Sequence, residues 1–152
     1  MSLKQRLETD IKAAMLSGDR FVVDVLKGLK SAILYEEVAQ KRRELGLDDA
    51  AIEAVFAKQA KQRDESADLF DKGGNHAAAQ KERAEKEVIL RYLPEPLSET
   101  ELHSNAERLI QEHNATSPKD MGKVLGALRA QYGSRVDGAK AAAIVKELLQ
   151  NK

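Results

Sequence analysis

The sequence predicts an all-α protein: an N-terminal four-helix domain over residues 1–93, joined by a stiff proline hinge to a C-terminal three-helix domain over residues 97–152. Three observations carry this. Ala, Leu, Glu, Lys, Arg and Gln dominate, aromatic residues are only 4% and Trp is absent, a balance that favours helix over strand. Apolar residues recur at three- and four-residue spacing, with no alternating stretch of useful length. Ser, Asp or Asn precedes the periodic runs, and Gly or Pro follows them.

Length and charge bound the function classes. A chain of 152 residues holds one ordinary domain or two small ones. Residues 1–93 carry 17 Lys/Arg against 17 Asp/Glu, and residues 94–152 carry 8 against 8. Whole-chain electrostatics therefore do not mark a nucleic-acid binder, and any basic surface has to come from how charges are sorted among faces. The absence of Cys removes disulfides, thiol nucleophiles and zinc–thiolate sites. Met1–Arg6 is polar and lacks the apolar core of a signal peptide, and no run nears the ~18 apolar residues of a membrane span. The expectation is a cytoplasmic protein with no membrane segment.

Leu3, Leu7, Ile11 and Ala14–Met15 define the first helix, with Ser2 as its cap and Gly18 as its stop. The second runs from about Asp19 to Leu45, with Val22, Leu26, Leu29, Ile33 and Val38 as its stripe and Gly46 beyond its end. Lys41-Arg42-Arg43 there complement the negative end of the helix dipole and are also able to bind phosphate. Asp48 caps the third helix, with Leu47 and Ile52 as apolar staple. Its face opens with Ile52, Val55 and Phe56 and closes with Leu69 and Phe70, but carries Gln59, Arg63 and Ser66 between them. These three either form a hydrogen-bonded layer between helices or line a groove, while Lys58, Lys61 and Arg63 make a basic strip.

Gly73-Gly74-Asn75 separates the third helix from a fourth over roughly His76 to Leu93. No strand precedes the paired glycines and no Lys-Ser/Thr follows, so they do not read as a phosphate-binding loop. Glu82–Lys86 and Glu87–Arg91 are spaced as ion pairs along this helix, and Ala77, Ala84, Val88, Ile89 and Tyr92 form its buried stripe. Leu93-Pro94-Glu95-Pro96-Leu97 breaks it, because Pro94 lacks an N–H and turns Leu93 extended. Ser98 and Glu101 then make a capping box, flanked by Leu97 and Leu102 as staple. Leu102, Ala106, Leu109 and Ile110 line the fifth helix. Ser117 and Pro118 start the sixth, faced by Met121, Val124, Leu125 and Leu128 and stopped at Gly133. Asp137 caps the seventh, whose core face is Ile144, Val145, Leu148 and Leu149.

Residue chemistry alone reaches no reaction. His103 and His113 lie ten apart and His76 stands in a first helical turn, so none makes the i, i+4 pair of a helical metal site. No serine occupies a nucleophile elbow, and most carboxylates have Lys or Arg three or four residues away, as solvated ion pairs do. No catalytic residue, metal or cofactor is expected.

Met121-Gly122-Lys123-Val124-Leu125-Gly126, Gly133-Ser134-Arg135-Val136-Asp137-Gly138 and Ile144-Val145-Lys146-Glu147-Leu148-Leu149 resemble the tail domain of the B subunit of the tRNA-dependent amidotransferase. Lys61-Gln62-Arg63-Asp64-Glu65-Ser66, the Glu82–Glu85 region and Tyr92-Leu93-Pro94-Glu95-Pro96-Leu97-Ser98 look like the small stand-alone proteins of the YqeY-like family. Together the resemblance covers nearly the whole chain. It implies an all-helical fold of four helices plus three, and a tRNA-binding accessory module that is non-catalytic by itself. The implied partners are tRNA and an aminoacyl-tRNA synthetase or amidotransferase subunit. Two alternatives stay open: a share in carbon–nitrogen ligase activity with glutamine as amide donor, and an adaptor for tRNA-charging enzymes. The candidate RNA contacts are Lys119, Lys123, Arg129, Arg135 and Lys140 around turns at Gly122 and Gly138, where the backbone is open to close approach. Lys58, Gln59, Lys61, Arg63 and Ser66 form a secondary basic and polar strip.

Overall fold

The computed structural model describes residues 1–151. Six of the seven described α-helices begin at a residue whose side chain caps them; α6 follows a 3-10 turn that opens after the expected cap, Ser117. Ser2 and Gln5 form a capping box ahead of α1 (Leu3–Ser17), and Gly18 closes that helix at φ 75°. Asp19 opens α2 (Arg20–Ala39), Asp48 opens α3 (Asp49–Lys72) and Asn75 opens α4 (His76–Leu90). The Ser98–Glu101 box opens α5 (Glu99–Glu112). A 3-10 turn over Pro118–Asp120 leads into α6 (Met121–Tyr132), and a second over Gly133–Arg135 leads towards α7 (Gly138–Gln150), capped by Asp137. Among the described residues there are seven α-helices and no strand.

α2 is shorter than its apolar pattern predicts. It ends at Ala39 rather than near Leu45, because Lys41 turns left-handed at φ 57°. Arg42 N bonds Glu37 O at 2.7 Å and Lys41 N bonds Val38 O at 3.1 Å, the paired bonds of a Schellman stop. Glu37, not Val38, faces the core there. Its carboxylate accepts from Lys4 Nζ at 2.5 Å and from Leu47 N at 3.1 Å, which holds the 41–47 loop against the helix end. Val38 is exposed, and the Lys41–Arg43 triplet lies in a loop instead of a helix terminus.

Met1–Leu93 form one compact unit. Within it α3 and α4 pair across the Gly73–Gly74 turn, and α2 packs against both. Ala67 of α3 and Ala79 of α4, both fully buried, supply the small surfaces this close pairing needs. The expected Ala77 and Ala84 are exposed, and the helix phase brings Ala79 inward instead; Val88, Ile89 and Tyr92 are buried as expected. Phe56 sits at the core and meets Tyr92 edge-on, with ring centroids 5.7 Å apart. Tyr92 donates to Asp10, and the Arg6 guanidinium lies 4.5 Å over its ring while donating to Arg91 O at 2.8 Å. Burial and the Asp10 contact push the Tyr92 phenol well above its ordinary pKa. Regular α4 stops at Leu90, three residues short of the expected end, and Tyr92 N and Leu93 N make tighter bonds to Ile89 O and Leu90 O before Pro94.

A second compact unit begins at Pro94 and has its own core. Leu102 and Ile110 of α5 meet Val124 and Leu128 of α6 and Val145 and Leu149 of α7. The proline stretch is fastened within this unit: Leu97 N bonds Arg135 O at 2.9 Å, and Arg135 Nε donates to Glu95 O at 2.8 Å.

Candidate nucleic-acid interface and a polar cleft

The neutral second unit has its charges segregated. Residues 94–117 carry five Glu against one Arg, whereas residues 118–150 carry six Lys/Arg against three Asp/Glu. Two of those three acids are turned inward on the backbone. Asp120 accepts from Thr116 N at 3.0 Å, and Asp137 accepts from Ala139 N at 3.0 Å and Lys140 N at 3.2 Å. The Thr116 amide, with Ser117 N, holds the Asp120 carboxyl below its usual range. Lys119, Lys123, Arg129 and Lys140 are all exposed. Among the described residues Lys119, Arg129 and Lys140 have no carboxylate within 4.0 Å, and Lys123 has only Asp120, at 4.0 Å.

The two glycines expected at turns lie in first helical turns, Gly122 in α6 and Gly138 in α7. A Cβ at Gly138 would meet Arg129 Nη2 at 3.1 Å, so the Arg129 guanidinium comes against the start of α7. A Cβ at Gly122 or Gly126 would meet nothing within 4 Å, which leaves open backbone on α6. Arg135 differs from the other cations: it is half-buried and its Nε is spent on Glu95 O.

A separate polar cleft of about 400 Å³ opens between α3 and α4, lined by Gln62, Arg63, Glu65, Ser66, Leu69, Glu82 and Glu85. The apolar face of α3 is interrupted there because Arg63 reaches across to α4. Its Nη1 donates to Gln59 Oε1 at 2.7 Å, and its Nε lies 3.5 Å from Glu85 Oε2 and 4.0 Å from Glu82 Oε2. Burial, then the neighbouring Glu85, push the Glu82 carboxyl above its ordinary pKa despite the pull of Arg63. Gln59 and Arg63 thus form a polar layer whose edge, with Ser66, lines a groove. Lys58 and Lys61 are exposed and do not line it.

Ion pairs continue along the hairpin but run between helices. Lys86 takes Asp64 at 2.7 Å in place of the expected Glu82, while Asp71 takes Arg83 at 2.5 Å and His76 at 2.8 Å. His76, then Arg83, hold the Asp71 carboxyl below its usual range. Gln62, Glu65 and Leu69 were missed as site residues, although Gln62 and Leu69 lie four and three residues from Ser66, on its face of α3. Among the described residues no group of three His, Cys, Asp or Glu is disposed to hold a metal ion. No described helix is long and apolar enough to cross a membrane.

These features define an all-helical protein whose second unit presents unpaired cations and whose first carries a polar cleft. The Yqey-like protein family matches residues 4–149, and the chain belongs to that family. It is similar to proteins named "Altered inheritance of mitochondria protein 41, mitochondrial" from three organisms. The Lachancea thermotolerans protein is 29% identical over 74% of this chain and 60% of its own length. The Candida glabrata protein is 31% identical over 74% of this chain and 62% of its own. The Eremothecium gossypii protein is 33% identical over 72% and 60%. The matched part therefore spans about three fifths of each relative's length.

The cytoplasmic expectation is corrected by these relatives, which are named as mitochondrial proteins. That expectation rested on a missing apolar signal core, which argues against secretion only; mitochondrial targeting segments are amphipathic and Arg-rich.

Proposed function

We propose that the chain is a tRNA-contacting accessory module, non-catalytic by itself, with residues 118–150 as its contact surface and Pro94–Pro96 as a stiff joint. The observation that carries this reading is the segregation of six cations against three acids there, with two of the acids turned onto backbone amides. Folded RNA is read largely through phosphate and 2′-OH contacts, so unpaired cations beside open backbone at Gly122 and Gly126 suit it. The resemblance of this segment to an amidotransferase tail supports the same role.

The test is a mobility-shift titration with total tRNA at low salt. Binding tighter than ~100 μM, weakening as salt rises, is expected, because even non-specific nucleic-acid affinity reaches that range. No binding at that concentration rejects the reading.

A second reading, an adaptor for a tRNA-charging enzyme, is favoured by one observation. Leu34, Tyr35 and Val38 are exposed together on α2 beside the Lys41–Arg43 loop. A synthetase or amidotransferase subunit that co-purifies after nuclease treatment, and is lost with Tyr35→Glu, is its expected signature.

A further inference from the structure

We propose that the α3–α4 cleft binds a small zwitterion of the α-amino-acid class, independently of any RNA contact made by the second unit. Arg63 is the starting point. A guanidinium carries five N–H donors in a rigid fork, and one that merely stapled two helices would engage a carboxylate through two of them. Arg63 does not. Its side chain is only 21% exposed, its buried Nε lies 3.5 Å from Glu85 Oε2 without a hydrogen bond, and among the described residues Gln59 alone accepts from it, through Nη1. Nη2 has no hydrogen-bond partner among the described residues and belongs to a residue that lines the cleft. Ser66 and Gln62 line the same cleft, likewise without a side-chain hydrogen bond among the described residues.

The opposite charge is present in excess. Glu82 and Glu85 flank Arg63 from α4, and Glu65 stands at the rim, so the cleft holds three carboxyls against one cation. A cationic group is drawn to the Glu82–Glu85 side, and an anionic one to Nη2 of Arg63, on the helix that also carries Ser66. One small molecule that carries both groups satisfies both at once, whereas a simple amine leaves Arg63 Nη2 unused. Leu69, exposed on the same wall, offers an apolar surface to a ligand side chain.

The experiment uses the whole chain, titrated by amide chemical shift with alanine, leucine, serine and glutamate, and with ethylamine and acetate as single-charge controls. A ligand of about ten heavy atoms at modest efficiency binds with Kd on the order of 1 mM. Saturable shifts confined to the helix segments around Arg63 and Glu85 are expected for amino acids, at least about tenfold tighter than for either control. Glu85→Gln and Arg63→Gln should each weaken binding about tenfold or more, tenfold corresponding to ~1.4 kcal/mol. Should Arg63→Gln loosen the hairpin, Ser66→Ala, which removes no hydrogen bond seen in the structure, should still weaken binding two- to fivefold by rough estimate. No saturable shift up to about ten times the expected Kd overturns the proposal. So does ethylamine binding as tightly as the amino acids, which would reduce the cleft to a plain cation site. A result in which the variants bind like wild type overturns it as well. The tRNA titration is unaffected by any of these outcomes.

Discussion

Glu37 Oε2 lies 2.5 Å from Lys4 Nζ, joining the last turn of α2 to the first turn of α1 across 33 residues of chain. The Glu37 side chain is only 5% exposed, so the pair fixes where α2 ends and the following loop begins. The Lys4 hydrogen bond outweighs burial and, with the Leu47 amide, holds the Glu37 carboxyl below its ordinary pKa. A folded-state value below the unfolded one gives stability that is complete above the unfolded value and is lost as pH falls through the folded value. Lys4→Met is expected to cost about 1–3 kcal/mol at neutral pH, with the difference from wild type closing below about pH 4. Denaturant melts of both proteins at neutral and acid pH decide it. A difference independent of pH would assign the loss to packing of the Lys4 stem.

Two glycines of the first unit should respond in opposite directions. Gly28 lies within α2, exposed, and a Cβ there would meet nothing within 4 Å. Gly28→Ala is expected to stabilise by about 0.5–1 kcal/mol through helix propensity. Gly46 holds φ 74°, and a Cβ there would meet Lys4 Nζ at 3.1 Å and Glu37 Oε2 at 3.2 Å. Gly46→Ala should cost roughly 1–2 kcal/mol for the left-handed backbone, before any displacement of the pair. Thermal melts give both signs; a destabilised Gly28→Ala would mean that the exposed α2 face packs against something.

Glu82 makes a less intuitive case. Its carboxyl pKa is raised, first by burial and then by Glu85, so the charged form is disfavoured in the folded protein. For an acid with a raised folded-state value, the stabilising effect is present below the unfolded value and is lost as pH rises through the folded value. Glu82→Gln should therefore melt higher than wild type at pH 7, with the gap narrowing in acid. A lower melting temperature at pH 7 would show that the Arg63 contact outweighs burial.

Most helix starts were legible in their capping residues. Ser2, Asp48, Asn75, Ser98 and Asp137 cap the helices expected of them. The end of α2 was not legible, because it depends on Glu37 finding Lys4 and Leu47, contacts set by tertiary packing. One residue of phase then puts Val38 outside and Glu37 inside, against their hydrophobicity. The polar break at Gln59, Arg63 and Ser66 was visible on α3, but Glu82 and Glu85 became its partners only when the hairpin closed. Lys86 illustrates the same limit: Asp64, across the hairpin, takes it from a carboxylate one turn away on its own helix.

Among the basic residues of the second unit, stability and binding should separate. Lys119→Ala, Lys123→Ala and Lys140→Ala remove exposed ammonium groups, and each is expected to lower the salt dependence of tRNA binding by about one charge with little change in melting temperature. Arg135→Ala should do both, because losing its bond to Glu95 O costs about 1 kcal/mol. Losses concentrated instead at Lys58, Lys61 and Arg63 would move the RNA surface onto α3.

The proline stretch sets where an independent fragment has to begin. Leu97 is a core residue of the second unit at 6% exposure, and its amide bonds Arg135 O at 2.9 Å. Glu95 O, two residues earlier, accepts from Arg135 Nε. A fragment from Pro94 keeps all of these contacts; one from Ser98 loses a buried leucine and two hydrogen bonds. The longer fragment is expected to fold on its own, although about 60 residues is near the lower limit for a single core. The shorter one should be less stable by about 2–4 kcal/mol, mostly from the missing Leu97 side chain, and should be largely unfolded at 37 °C. Circular dichroism melts of both fragments, followed by tRNA titration of the folded one, test the division of labour directly. A folded Pro94 fragment without tRNA affinity would place the RNA contact elsewhere in the chain. Equal stability of the two fragments would show that the Arg135 contacts decorate the unit without holding it together.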